Sequence, residues 1–452
     1  MSILIIGGGE IGRYLANQLI AEKKSVVIIE KDESVIDDIE ESLDAKFILG
    51  NGAAPQVLKK AGLEEAEMVV AVTDSDEVNM LASIFAGIKA PLAKRIARIR
   101  ATEFDIEGEK LKAALGIDLL INPEKEAAKT IERILAVPGA FEILNFFDGT
   151  LQIIGAKIKK ESPLIGKKFF ELAQIKEEHN FLIAGIQRKD LFLIPSGKSQ
   201  IFEGDKVYFV TKKELAQKGM GLLGYKKEKF GKIMINGASF IGRNLASTLE
   251  AKGITVKLIE PDPHLCSIAS RDLNNTLLLN AAGTDQEVLE QENIHKMDAF
   301  VSVTKDDEEN IISSLLAKRL GCPVAISLSH KIEYLPLISS MGIDAVINPR
   351  QLTKNAITHF LRQGRVLNES QLTEFAEIIE LEALETSDIV NTPIHKIQFP
   401  KPVLILSIKR NDEIIVPWGD TIIEPGDRVL LITQRRDVSK LEKFISVKLE
   451  YF

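Results

Sequence analysis

Three features of the sequence predict an α/β chain of two tandem doubly wound parallel-sheet domains, each followed by a small α+β, β-rich domain. An apolar run, Ile3 to Ile6, leads straight into Gly7-x-Gly9-x-x-Gly12. The same layout returns about 230 residues later, where Gly237 stands 230 positions beyond Gly7 (237 − 7 = 230). Each copy is then followed by short runs in which apolar and polar residues alternate. Continuous apolar runs belong to strands buried on both faces of a parallel sheet, and period-2 runs to small antiparallel sheets.

The first copy reads in order as strand, glycine turn, helix and strand. Ile11, Leu15, Leu19 and Ile20 recur on one face of the helix, and Val26 to Ile29 form a second buried strand ending in Glu30. This is the Rossmann-like arrangement for a nucleotide. Gly7 permits the tight turn, Gly9 admits a pyrophosphate close to the backbone, and Gly12 lets helix and strand pack closely. Glu10 and Ile11 fall in the first helical turn, whose unpaired N–H groups and dipole favour phosphate. Glu30 is placed to accept hydrogen bonds from ribose hydroxyls and to repel a 2′-phosphate, which favours NAD or an adenine nucleotide over NADP. After the strand Met68 to Val72 comes Thr73-Asp74-Ser75-Asp76-Glu77-Val78-Asn79. It lies at the carboxyl end of a strand, where ligands bind, and it also reads as an acidic helix start. Arg98 and Arg100 follow in the next strand, suited either to a phosphate or to a surface ion pair.

The second copy matches in several tracts. Ile233 to Gly242 repeats Ile3 to Gly12, Glu260 stands 230 residues after Glu30 (260 − 30 = 230), and Thr304 stands 231 after Thr73 (304 − 73 = 231). Ile121-Asn122-Pro123 meets Ile347-Asn348-Pro349. The middle glycine is Ser239 here, and the expected counterpart of Arg98 is Ser327 at an offset of 229 (327 − 98 = 229). A serine obstructs close approach to a pyrophosphate. That leaves the second copy as either a weaker nucleotide site resting on Glu260 or an element of assembly.

The small domains begin beyond Pro138-Gly139 and beyond about residue 365. Leu151 to Ile154 and Lys206 to Val210 alternate in the first; Glu380 to Ala383 and Arg428 to Ile432 do so in the second. Turns at Glu203-Gly204-Asp205 and Pro425-Gly426-Asp427 separate such runs. The expected domains are 1–138, 139–225, 226–365 and 366–452.

With 452 residues, 45% hydrophobic and 27% charged, the chain has material for several cores. No run approaches the roughly 18 apolar residues of a membrane span, and Met1-Ser2 passes directly into a strand without a signal peptide. A cytoplasmic location is expected. A net charge of −8 speaks against nucleic acid as a partner. Lys226-Lys227-Glu228-Lys229 is the one clear basic cluster, a solvated linker or a contact with lipid or partner. Cys266 and Cys322 stand far apart and are expected to be buried, reduced thiols.

Catalytic equipment is missing. His179, His264, His295, His330, His359 and His395 are scattered without metal spacing, and neither a nucleophile elbow nor a Walker A lysine is present. Tyr208 and Lys212 have a Tyr-x-x-x-Lys spacing but lie in a β-textured run. The residues favour nucleotide binding without chemistry, so the chain is not expected to be an enzyme; an NAD-dependent oxidoreductase with an unrecognised substrate is the alternative.

The glycine fingerprint, Glu30, the stretch Leu58 to Ala66 and Thr73 to Asn79 resemble the RCK (KTN) nucleotide-binding domain, and the small units resemble its companion, the TrkA C-terminal domain. The doubled arrangement is similar to the TrkA family of peripheral subunits of Trk potassium uptake systems. That resemblance implies NAD(H) and ATP or ADP as ligands, a tetrameric homo-oligomeric ring on the inner face of the membrane, and a TrkH- or TrkG-type potassium transporter as partner. Carried onto this sequence, the residues are Gly7, Gly9, Glu10, Ile11, Gly12, Glu30, Thr73, Asp74 and Arg98, with Glu260 in the second copy. The family usually has Gly-Asp after the third strand, where this chain has Gly50-Asn51, so any ligand contact made by that aspartate does not transfer.

Overall fold

The computed structural model describes residues 2–21, 23–100, 108–172, 181–189, 191–226, 229–361, 366–372, 376–399, 402–438 and 440–441. His179 and the Lys227-Glu228 part of the basic cluster lie outside these residues. No helix among the described residues is long and apolar enough to cross a membrane.

The first copy runs β1 (Ser2–Ile6), α1 (Glu10–Ala21), β2 (Ser25–Glu30), α2 (Glu33–Glu40), β3 (Lys46–Leu49), α3 (Pro55–Lys60) and β4 (Ala66–Ala71). It continues through α4 (Asp76–Lys89), β5 (Lys94–Arg98), α5 (Gly108–Leu115), β6 (Leu119–Ile121) and α6 (Pro123–Ala136). All pairings are parallel, in the order β3-β2-β1-β4-β5-β6. The order reverses between β1 and β4, which opens a crevice above the carboxyl ends of these two strands. Ile3 and Ile5 point to one layer of helices, Leu4 and Ile6 to the other, so β1 is apolar from Ile3 to Ile6.

The first small domain has β7 (Ala140–Phe146), β8 (Leu151–Lys157), β9 (Leu182–Arg188), β10 (Leu191–Leu193), β11 (Lys206–Lys212) and α7 (Ala216–Leu222). Its antiparallel sheet is ordered β10-β9-β11-β8-β7. Tyr208 and Lys212 lie within β11, and Tyr208 is buried, as their β texture predicts.

The second copy repeats the first: β12 (Lys232–Asn236), α8 (Phe240–Ala251), β13 (Thr255–Ile259), α9 (Pro263–Asp272), β14 (Leu277–Leu279), α10 (Gln286–Gln291) and β15 (Ala299–Ser302). Then come α11 (Asp307–Arg319), β16 (Ala325–Leu328), α12 (Leu335–Ser340), β17 (Ala345–Ile347) and α13 (Pro349–Leu361). Its parallel sheet has the same order, β14-β13-β12-β15-β16-β17. The last domain comprises β18 (Val366–Gln371), β19 (Ala376–Glu382), β20 (Val403–Arg410), β21 (Glu413–Ile415) and β22 (Arg428–Gln434), again antiparallel. The two small sheets share a core in which Phe146, Phe147 and Ile153 meet Ile378, Leu430 and Ile432. At its edge Arg428 binds buried Glu380 and Asp148, the latter at 2.5 Å.

The chain folds into two compact units, residues 1–127 with 348–361, and residues 128–347 with 362–452. Chain order assigns 349–361 to the second copy, yet α13 packs on the first sheet. Ile357 and Phe360 join the core of Ile3, Ile5 and Leu15, and Lys354 stands 4.8 Å from the Tyr14 ring. The apolar face of α13 thus packs beside α1 on the first sheet. Of the two cysteines, Cys322 is buried and its thiol is pushed up to about 11 by that burial, while Cys266 is only half-buried; both are free.

Candidate functional site

The first glycine turn is built by exclusion. Gly7 has φ +107°, and a Cβ there would fall 3.1 Å from the Thr73 nitrogen. A Cβ on Gly12 would stand 2.0 Å from the Gly7 carbonyl oxygen, so any side chain would push α1 off the sheet. Gly9 differs: a Cβ there meets nothing within 4 Å. Protein packing does not require glycine at this position, which leaves close approach from outside as the reason for it. Having no side chain, Gly9 also leaves the N–H groups opening α1 without a side-chain cap.

Glu30 holds the turn from the other side. Its Oε2 accepts from Gly8 N–H at 2.7 Å, and its Oε1 accepts from Lys31 and Asp32 N–H at 2.7 and 3.2 Å. A carboxylate offers about four lone-pair directions, so one remains for a ribose hydroxyl. Ile11 turns its side chain into the core, leaving only its main chain to a ligand. Glu10 pairs with Arg350 of α13, a partner that the spacing of the first copy does not reveal.

The second wall is the loop after β4. Asn79, fully buried, takes Thr73 N–H at 3.0 Å and the Thr73 hydroxyl at 2.8 Å on Oδ1. Its Nδ2 donates to the Thr73 and Arg98 carbonyls at 3.1 and 2.8 Å. One amide therefore ties the ends of β4 and β5 together. Ser75, rather than the acids after it, caps α4 by accepting from Val78 N–H, while Asp76 accepts from Arg100 N–H at 2.8 Å. The acidic run both starts the helix and fixes the strand end.

Cations gather at this edge. Arg98 Nη1 lies 3.3 Å from Asp74 Oδ1, and Arg100 Nη1 lies 3.8 Å from the same oxygen. Asp74 is almost fully exposed, whereas Arg98 is mostly buried with its Nε unpartnered. Burial, then the neighbouring Arg100, lowers the Arg98 pKa; burial raises that of Glu124 at the start of α6. Glu124 Oε2 also has no hydrogen-bond partner. The spacing argument singled out neither Glu124 nor Asn79; Asn79 stood in its motif, but an amide hub is invisible until strand ends are placed.

The second copy keeps the scaffold and changes the surface of the site. Gly237 and Gly242 repeat the tight packing, and Glu260 accepts from Ala238 and Asp262 N–H at 2.8 and 2.9 Å. Ser239 fills the place of Gly9: its hydroxyl accepts from Gly242 N–H at 3.3 Å and donates to the Val303 carbonyl at 2.7 Å. Sheet register corrects the pairing of Arg98 with Ser327. Ala97 and Ser327 occupy matching positions beside Ala71 and Ser302, so Arg98 corresponds to Leu328. Asn310 Nδ2 donates to the Leu328 carbonyl as Asn79 does to that of Arg98. Arg100 becomes His330, whose Nδ1 lies 2.9 Å from Asp307. Among the described residues, no cluster of His, Cys, Asp or Glu has metal-binding geometry.

Comparison with known proteins follows the same duplication. The TrkA-N domain family matches residues 3–123 and 233–349, and the TrkA-C domain family matches 153–218 and 378–446. The Trk system potassium uptake protein TrkA of Halomonas elongata is 32% identical, covering 100% of both chains. TrkA homolog 1 of Methanosarcina mazei is 35% identical over 98% of this chain and 100% of its own, and TrkA of Haemophilus influenzae is 32% identical over 98% of each. Among solved structures, the GsuK channel bound to NAD aligns with TM-score 0.62 and 20% identity, covering 98% of this chain and 78% of that one. The GsuK RCK domain gives TM-score 0.62 at 19% identity, covering 98% and 94%. These two share the fold.

Proposed function

Because this chain belongs to the TrkA family of Trk-system potassium uptake proteins, we propose that it is the nucleotide-sensing regulatory subunit of such a system. It is a potassium-transport protein rather than an enzyme. The first copy holds NAD(H) and ATP or ADP, and the bound state is passed to a membrane-embedded potassium transporter of the TrkH or TrkG type. The chain works as a homotetrameric ring against the inner face of the membrane.

The contrast between Gly9 and Ser239 carries this reading. Gly9 leaves the α1 N-terminus open, with space where a side chain would stand. In the second copy the corresponding N–H is taken by Ser239. The turn Gly7, Gly9 and Gly12, with the main chain of Glu10 and Ile11, would receive phosphates; Glu30 would receive a ribose hydroxyl; and Thr73 and Asp74 would border the ligand. Arg98, partly desolvated, would meet a terminal phosphate in exchange for Asp74, which gives ATP and ADP different contacts. Glu260 leaves the second copy a ribose contact, but Leu328 and His330 supply no comparable pair of cations.

A ligand moves a conformational equilibrium only by its differential affinity for the two states. Nucleotides differing in charge near Arg98 therefore favour different arrangements, to which the transporter responds. Ligand-binding calorimetry with NADH and ATP tests the site. Glu30→Ala is expected to weaken NADH at least tenfold and Arg98→Ala to weaken ATP at least tenfold; unchanged affinities in both variants would sink the assignment.

A further inference from the structure

Sequence order gives α13 to the second copy, yet its first turn stands at the glycine turn of the first. Arg350 Nη1 binds Glu10 Oε1, and one turn further on Lys354 Nζ lies 4.8 Å from the Tyr14 ring. Both contacts keep one offset (350 − 10 = 340; 354 − 14 = 340), so α13 and α1 run side by side in the same direction. Ile357 and Phe360 then share a core with Leu15 and hold the alignment. The amino end of α13 therefore lies beside the amino end of α1, where Gly9 leaves N–H groups without a side-chain cap.

Glu10 alone works against a phosphate at this end. A carboxylate in a first helical turn suits the helix dipole, but it repels an anion drawn to the same N–H groups. Arg350 cancels that charge and has donors left over. A guanidinium carries five N–H donors in a planar fork. Among the described residues, the Arg350 side chain pairs with Glu10 through Nη1, which leaves Nε and Nη2 for a second partner. The Arg350 and Glu10 side chains are 38 and 54% exposed, so a ligand can reach both.

Duplication supplies the comparison. Phe240 stands where Glu10 does (240 − 10 = 230). Glu124, the second residue of α6 as Arg350 is of α13, stands for Arg350. That second set contains no cation. The second copy also has Ser239 on an N–H that Gly9 leaves open, and Leu328 and His330 in place of Arg98 and Arg100. Arg350 is thus present where the turn is open and missing where it is closed.

Resting on the nucleotide reading given above, we propose that Arg350 is a phosphate-binding residue of the first site. It turns from Glu10 to a phosphate of the bound nucleotide, a contact that suits the guanidinium fork and its fixed charge. The nucleotide is then held by residues of both copies. Occupancy of the site and docking of α13 on α1 favour each other by the same factor.

Calorimetry with ADP on the full chain tests the assignment, because the two partners of one ion pair should act in opposite directions. Arg350→Ala is expected to weaken ADP about tenfold and Arg350→Lys less, since lysine keeps the charge without the fork. Glu10→Ala breaks the same pair, and so controls for its part in folding, yet should tighten ADP about twofold by removing the competing carboxylate. Amide exchange over residues 349–357 should slow when ADP is added to the unsubstituted chain and stay unchanged in Arg350→Ala. Two results would overturn the proposal: ADP affinity unaltered in Arg350→Ala, or equal losses in Arg350→Ala and Glu10→Ala, the mark of a pair that only fastens the helix. Failure of ADP to bind the unsubstituted chain would instead sink the nucleotide site itself.

Discussion

Asn79 makes more of the site than any residue chosen for its charge. It is fully buried and joins two strand ends through the Thr73 and Arg98 main chains. Asn79→Ala would leave those groups short of partners at a cost of about 2 kcal/mol, and nucleotide affinity should fall with the melting temperature. A differential scanning measurement with and without ATP separates the two effects: an unchanged melting temperature would show that the hub does not hold the loop. Glu142 on β7 offers a second test at this scale. Desolvation pushes its carboxyl up to about 8, against the pull of Lys206. The folded chain then holds a proton that the unfolded chain releases above its ordinary value of about 4.5. Stability contributed by this group is therefore complete below about pH 4.5 and is lost as pH rises toward 8. Glu142→Gln should flatten that slope in denaturant titrations; a parallel slope in the variant would place the pH dependence elsewhere. The glycine turn was legible in the sequence because Gly7, Gly9 and Gly12 answer to local geometry. The counterpart of Arg98 was not, since the offset is 231 at Thr304 but 230 at Leu328 (328 − 98 = 230), and only strand register fixes which residue moved.

Among the elements, α1 and α13 show where sequence order stops being a guide. The apolar face of α1 follows from its spacing, and it lies where that spacing places it, over β1 and β2. Nothing in the spacing of α13 says which of two nearly identical sheets it will cover. Both sheets offer similar aliphatic layers, and the choice is settled by packing of Ile357 and Phe360 beside Leu15 and by Arg350 reaching Glu10. Ile357→Ala should cost about 3 kcal/mol, the range for a buried isoleucine emptied to alanine. The loss should appear in the first parallel-sheet domain: amide hydrogen exchange ought to rise along β1 and α1 while β12 and α8 remain protected. Faster exchange confined to β12 and α8 would contradict the placement.

At the scale of the molecule, duplication supplies two copies of one scaffold whose functional surfaces have diverged. Both parallel sheets retain the helix packing that Gly12 and Gly242 permit, yet Ser239 closes on itself what Gly9 leaves open. The paired small sheets diverge too: Leu191 stands opposite Arg188 in the first where Glu413 stands opposite Arg410 in the second. The repeat was readable because both its fold-determining residues and their order survive; the division of labour was readable only in part, because it lies in contacts between distant strands. Potassium flux through the chain reconstituted with its membrane transporter tests the central claim most directly. Added ATP and ADP should change the flux by different amounts, and Gly9→Val with Arg98→Ala should remove most of that difference. Flux indifferent to nucleotide, or equally responsive in the doubly substituted chain, would contradict a sensor built on the first copy.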